Sequence, residues 1–132
     1  MSDMIAPPRP WVTPTDVKEY SELESVRNRT DVRLAVDISR AEKYVINYTH
    51  NNFEGFEEIP QDVKTAVIIL AEAYAHNAVE QTKSLKSETF DDYSYTVESN
   101  FIDLSNLDVG SLLDEWVKPL ETGKVVMNLR KL

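Results

Sequence analysis

Glu72, His76 and Glu80 stand four residues apart. If that stretch is helical, two carboxylates and an imidazole share one face and could hold a divalent cation between them. A metal site needs further ligands from elsewhere, and His50 is the only other histidine. The competing reading is a solvated helix face carrying a neutral imidazole. Glu88, Asp91, Asp92 and Asp103 supply carboxylates enough for calcium. They lack the D-x-D-x-D-G spacing and the turn glycine of a calcium loop. Nothing apolar beside them would keep one carboxyl protonated for acid–base work, so an exposed acidic loop is the simpler reading.

Tyr93 and Tyr95 lie two apart and would share one face of a strand, with Ser94 and Thr96 on the other. Stacking on nucleobases normally comes with a basic groove. Packing on the domain or against a partner protein suits tyrosine better, because it joins a large apolar body to a polar tip. The three glycines, Gly55, Gly110 and Gly123, exclude a Walker phosphate loop, a dinucleotide fingerprint and a G-x-S-x-G elbow. With no cysteine, neither a disulfide framework nor a thiolate metal site can form.

The net charge of −9 is unevenly spread. Residues 1–50 carry −1, residues 51–123 carry −11, and the last nine residues carry +3. A surface that neutralises phosphates needs clustered Lys and Arg, so direct gripping of nucleic acid is not expected. The N-terminus MSDMIAPPRPWVTP has no apolar h-region and is not expected to be a signal peptide. The longest apolar run, Ala66 to Ala71, is far too short to span a bilayer, so no membrane association is expected. The N-x-T triplets at Asn28 and Asn47 read as chance matches.

A 132-residue chain fits one domain with one modest core. Residues 1–12 read as a flexible proline-rich arm, with Trp11 pinned against the domain. A short helix starts at Thr13, with Pro14 at its first position and Asp16 reaching back as a capping box. A second helix runs from Thr30 or Asp31 to about Tyr48, with Leu34, Ile38, Ala41, Val45 and Tyr48 as its apolar stripe. Arg33, Asp37, Arg40 and Lys43 fall largely off that stripe. The loop HNNFEGFEEIP turns at Gly55 and offers Phe53, Phe56 and Ile59 to the core.

The third helix follows Pro60, runs to about Lys83 and is apolar on most faces, the pattern of a central, buried helix. Residues 86–98 are then expected to be a contact loop with a short strand at about 92–98. A fourth helix begins near Ser105, with Asp108 completing a second capping box, and halts at Pro119. The tail 120–132 could form another strand at about 124–129. The fold class is therefore mainly α: a small bundle of three main helices plus a short N-terminal helix, with one or two short β-strands. Residues 13–119 form its one domain.

Residues 86–97, KSETFDDYSYTV, carry a further signal. They resemble the lysine–serine–glutamate, glycine–aspartate–tyrosine–serine stretch of phage head–tail connector proteins, small helical adaptors that bind beneath the portal. The nearest likeness is to the YqbG-type proteins of Bacillus prophage-like elements. TPTDVKEY, RLAVDISRAEKYVINYT, IPQDVKTAVIILAEAYAHN and LLDEWVKP resemble that family's successive helices, so the likeness spans roughly residues 12–119. Asp91 stands where the family has glycine.

The resemblance implies a structural protein with no catalytic residue, no cofactor and no bound metal. It implies a ring of about twelve copies, assembled in the bacterial cytoplasm with the portal as a template such rings can need, at the head–tail interface of the particle. Its partners would be the portal protein and a head-completion or tail protein, with DNA passing nearby without specific binding. Contacts would fall on Lys86, Ser87, Glu88, Asp92, Tyr93, Ser94 and Tyr95. The rival reading is an acidic helical regulatory module that captures one soluble partner.

Overall fold

The computed structural model describes residues 5–90 and 100–119, with side chains for 5–83 and 100–119. The described chain is mainly helical: α1 (Pro14–Tyr20), α2 (Glu24–Arg27), α3 (Asp31–Thr49), α4 (Gln61–Phe90) and α5 (Gly110–Leu113). Single 3-10 turns at Leu104–Asn106 and Asp114–Trp116 flank α5.

Capping starts the helices where short polar residues can satisfy the first free N–H groups. The Thr13 hydroxyl accepts from the Asp16 amide at 3.1 Å, and the Asp16 carboxylate accepts from the Thr13 amide at 2.9 Å. That is the expected capping box, with Pro14 in the first turn. Thr30 caps α3 by accepting from the Arg33 amide. His50 ends α3 in the left-handed region, its N–H on the Ile46 carbonyl. Phe53 and Gly55 also have positive φ, so the chain reverses tightly before α4. The Asn51 carboxamide makes that reversal possible by accepting from the Phe53 amide at 2.8 Å.

The core lies between α3 and α4. Leu34, Ile38, Ala41 and Val45 pack with Val63, Ala66, Val67 and Leu70, all fully buried. Fully burying an aliphatic side chain contributes roughly 1.5–3 kcal/mol, so this seam supplies much of what holds the fold together. Phe53 and Ile59 plug the end of the seam as expected, with Phe56 partly buried against it. Trp11, Phe53, Phe56 and Trp116 form a run of edge-to-face rings with centroids 5.2 to 5.9 Å apart. Trp11 is pinned as expected, and Val12 is buried beside it. Arg9 and the Trp11 amide both bond the Glu42 carboxylate, so residues 9–12 are docked on α3.

Several expectations are corrected. The stripe of α3 ends on buried Thr49, with Tyr48 half-exposed and donating to Asp114 at 2.7 Å. Asp37 is not off the stripe: it is 1% exposed and paired with Arg29 at 2.7 Å. Helix α2 had no counterpart in the sequence reading. The third predicted helix does not stop at Lys83 but continues to Phe90, so residues 86–90 are helical rather than loop. The fourth predicted helix is a 3-10 turn, the four-residue α5 and a second 3-10 turn. Asp103 rather than Ser105 caps the first turn. Among the described residues no strand forms. The strands expected at about 92–98 and 124–129 lie outside the described residues, as does the tail 120–132.

Candidate interaction surface

Helix α4 does bring Glu72, His76 and Glu80 onto one face, but each is engaged in other bonds. Glu72 accepts from the Ser21 hydroxyl at 2.7 Å. His76 Nε2 sits 2.8 Å from the Asn100 carbonyl, which can only accept, so Nε2 carries a proton and donates. In the neutral ring Nδ1 then accepts from the Ser25 hydroxyl at 2.7 Å. Glu80 lies 4.0 Å from Nε2 and takes Lys83 at 3.2 Å. With both ring nitrogens committed, this row works as a polar seam joining α4 to the α1–α2 region and to residue 100.

Asn77 extends the seam. Its amide donates to the Ile102 carbonyl at 2.9 Å, and its oxygen accepts from the Ile102 amide at 2.7 Å. One side chain thus mimics a backbone ladder pair and fixes the chain where it returns at 100–102. Immediately after it, the Asp103 carboxylate accepts from the hydroxyl and the amide of Ser105. These bonds, the hydroxyl first, hold the Asp103 pKa below the usual aspartate range. The hydrogen bond to Asp114 raises the Tyr48 pKa, because the neutral phenol is the form that donates.

Of the predicted contact residues, Lys86, Ser87 and Glu88 fall on the last turns of α4. Asp92, Tyr93, Ser94 and Tyr95 lie outside the described residues. Among the described side chains, the last core residue of α4 is Ala75, and Gln81, Thr82 and Lys83 are exposed. From Ala75 to Phe90 the helix runs another fifteen residues, about 22 Å at ~1.5 Å per residue.

A second surface was missed by reading charges along the chain. The outward face of α3 carries Val32, Val36, Ser39, Arg40, Lys43 and Asn47, all exposed, with Arg33 beside them. Both acids in its middle point inward and are neutralised, Asp37 by Arg29 and Glu42 by Arg9. The helix therefore shows only cations outward beyond Asp31, which is itself paired with Lys18. A spacing signal was present: Asp37 is three residues after Leu34, and Glu42 is four after Ile38, so both can share the buried side.

Among the described residues, no helix is long and apolar enough to cross a membrane. A family model described as "Protein of unknown function (DUF3199)" matches residues 11–130. The chain is also similar to the uncharacterized protein YkzL of Bacillus subtilis strain 168. The two are 35% identical over 112 residues, which cover 82% of this chain and 87% of the relative. The match begins at Trp11, the first buried residue among those described. With nearly its whole length inside that match, the chain belongs to the DUF3199 family.

Proposed function

We propose that this chain is a non-catalytic structural adaptor of a phage or prophage particle. It assembles as a ring of about twelve copies beneath the portal and docks a head-completion or tail protein. The last turns of α4 and the residues that follow, Lys86, Ser87, Glu88, Asp92, Tyr93, Ser94 and Tyr95, make the contacts. Assembly takes place in the bacterial cytoplasm, and the finished ring sits at the head–tail interface. The likeness of KSETFDDYSYTV and its neighbouring helices to connector proteins supports this reading.

The observation that carries it is the continuation of α4 to Phe90, which sets Lys86, Ser87 and Glu88 on one unbroken helix with the core residues Val63 to Ala75. An acidic surface also suits a ring through which DNA slides without sticking.

The test is an affinity pull-down of the tagged protein from cells in which its host element is induced, with mass spectrometry of the bound proteins. Multi-copy recovery of portal and head-completion proteins is expected. Recovery of one unrelated soluble partner, without particle proteins, overturns the adaptor and favours the regulatory module.

A further inference from the structure

We propose that the outward face of α3 is the surface on which a second copy of this chain docks, through the acidic turn that leads into that copy's α4. The proposal deepens the ring reading and rests on it.

Three features of the face point to an occupant. Val32 and Val36, 77% and 56% exposed, lie one turn apart on it. Exposed valines are ordinary singly, but here the pair continues directly into Arg40 and Lys43 on the same stripe, giving an apolar anchor beside a charged rim. Next to that rim lies an open groove of about 550 Å³ lined by Arg9, Ser39, Arg40, Lys43, Tyr44, Asn47 and Tyr74, with no carboxylate among them. The Arg40 guanidinium lies over the Tyr74 ring at 4.3 Å. Arg40 makes no ion pair among the described residues, so its guanidinium keeps the capacity to take a carboxylate. Lys43 has no ion-pair partner among the described residues.

A carboxylate-bearing protein segment fits this face better than nucleic acid. Arg33, Arg40 and Lys43 are a small group of outward cations on a chain of net charge −9, whose remaining field repels a polyphosphate. The same chain also carries the complementary surface. Glu54, Glu57, Glu58 and Asp62 are exposed within nine residues around the turn into α4. None of them meets a cation among the described residues, so the basic face and the acidic turn of one molecule do not neutralise each other.

Sign decides how two copies can meet. A basic face laid on its own two-fold mate repels, so a symmetric dimer through α3 is disfavoured. A basic face laid on an acidic turn is a head-to-tail contact, and a contact of that kind repeats until it closes into a ring or runs on as a filament. Charge pairs at a partly exposed rim supply register and on-rate, and the two valines supply the dry centre.

The experiment uses the full chain in sedimentation velocity up to about 1 mM, where even weak association registers. Runs at about 50 mM and about 500 mM salt separate charge-driven contacts from apolar ones. The wild type is expected to associate, with affinity falling about tenfold or more at the higher salt. Two variants follow, Arg40→Glu with Lys43→Glu, and Glu54→Lys with Glu57→Lys and Glu58→Lys, which leaves Asp62 as the one acid of that turn. Circular dichroism confirms that each stays folded. Each alone is expected to remain monomeric, since its face and its turn then bear the same sign. An equimolar mixture is expected to regain assembly, because each variant's face again meets an opposite turn.

A wild type that stays monomeric throughout overturns the proposal, as does association that neither reversal alters or that the mixture fails to restore. Those failures leave the adaptor reading to the pull-down, since a portal can organise copies that do not touch through α3. Restored assembly combined with a pull-down free of particle proteins does the reverse.

Discussion

From Val63 to Ala75, α4 is secured by apolar burial: Val63, Ala66, Val67, Leu70, Ala71 and Ala75 are all closed off from solvent. From His76 onward the same helix is secured by side-chain hydrogen bonds, to Ser25, to the Asn100 carbonyl and to both backbone groups of Ile102. Apolar burial is additive over area and indifferent to direction, so the first half determines that the chain folds at all. Hydrogen bonds are directional and individually small in net effect, so the second half determines where one returning segment sits. Substitutions in the two halves should therefore differ in kind as well as in size.

The largest effect belongs to the apolar half. Leu70→Ala leaves a void at the centre of the α3–α4 seam and is expected to lower unfolding stability by about 3 kcal/mol. Urea denaturation followed by circular dichroism reads this as a shifted midpoint with an unchanged slope. A loss well under 1 kcal/mol would mean that the seam is not the principal core.

Asn77→Ala tests the polar half. It strands the N–H and the carbonyl of Ile102 in a partly buried place and is expected to cost about 1–2 kcal/mol. The telling readout is amide hydrogen exchange. Protection should fall at residues 100–104 and stay unchanged at the Leu34–Val45 stripe. Asn77→Asp sharpens the result, because it keeps the acceptor for the Ile102 amide but sets a carboxylate against the Ile102 carbonyl. A uniform loss of protection across α3 would merge the two halves into one cooperative unit and dissolve the contrast.

His76→Ala is expected to act in the same direction with about 1 kcal/mol, since it cuts the bonds to Ser25 and Asn100. It also separates the seam from a metal site. A cation bound at Glu72, His76 and Glu80 would raise the wild-type melting temperature in proportion to its occupancy. With both ring nitrogens in use, added zinc is expected to leave that temperature unchanged in wild type and variant alike.

How much of this was legible in the sequence follows the same division. The capping box of Thr13 and Asp16 is local chemistry over four residues, and it forms as read. The apolar seam was legible from periodicity, because Leu34, Ile38, Ala41 and Val45 recur at helical spacing. What was illegible depends on partners outside the helix. Asp37 reads as largely off the apolar stripe until Arg29 pairs with it inside; Arg9 does the same for Glu42, and only then does α3 become a basic face.

Residues 86–90 read as a loop because they are polar. Lys, Ser and Glu do not end a helix, and the stretch holds neither glycine nor proline to do so. Ser105 and Asp108 have the spacing of a capping box, yet Asp103 reaches Ser105 first and makes a 3-10 turn instead. The four residues of α2 are too few to show any period. Of the seven contact residues expected from the resemblance, three are now placed on α4. The α3 face has only an indirect signal in the sequence, the spacing of Asp37 from Leu34 and of Glu42 from Ile38, because its charge balance is decided by which acids turn inward.

The smallest effect asks whether the turn after Ile102 depends on Asn77 at all. Asp103 is held below the usual aspartate range by the hydroxyl and amide of Ser105, two residues away. A carboxyl whose folded pKa lies below its unfolded one stabilises the fold at pH above the unfolded value. That contribution disappears as pH falls through the folded value. NMR titration of the side-chain carboxyl carbons is expected to show the depressed midpoint in wild type. Ser105→Ala should bring it part of the way back, since the amide donor remains. In Asn77→Ala the midpoint should stay depressed even as exchange protection at 100–104 is lost, because both donors belong to the turn itself. If the midpoint instead rises in Asn77→Ala, the turn is held only through its tie to α4. The polar half of α4 would then control local structure as firmly as the apolar half controls the fold.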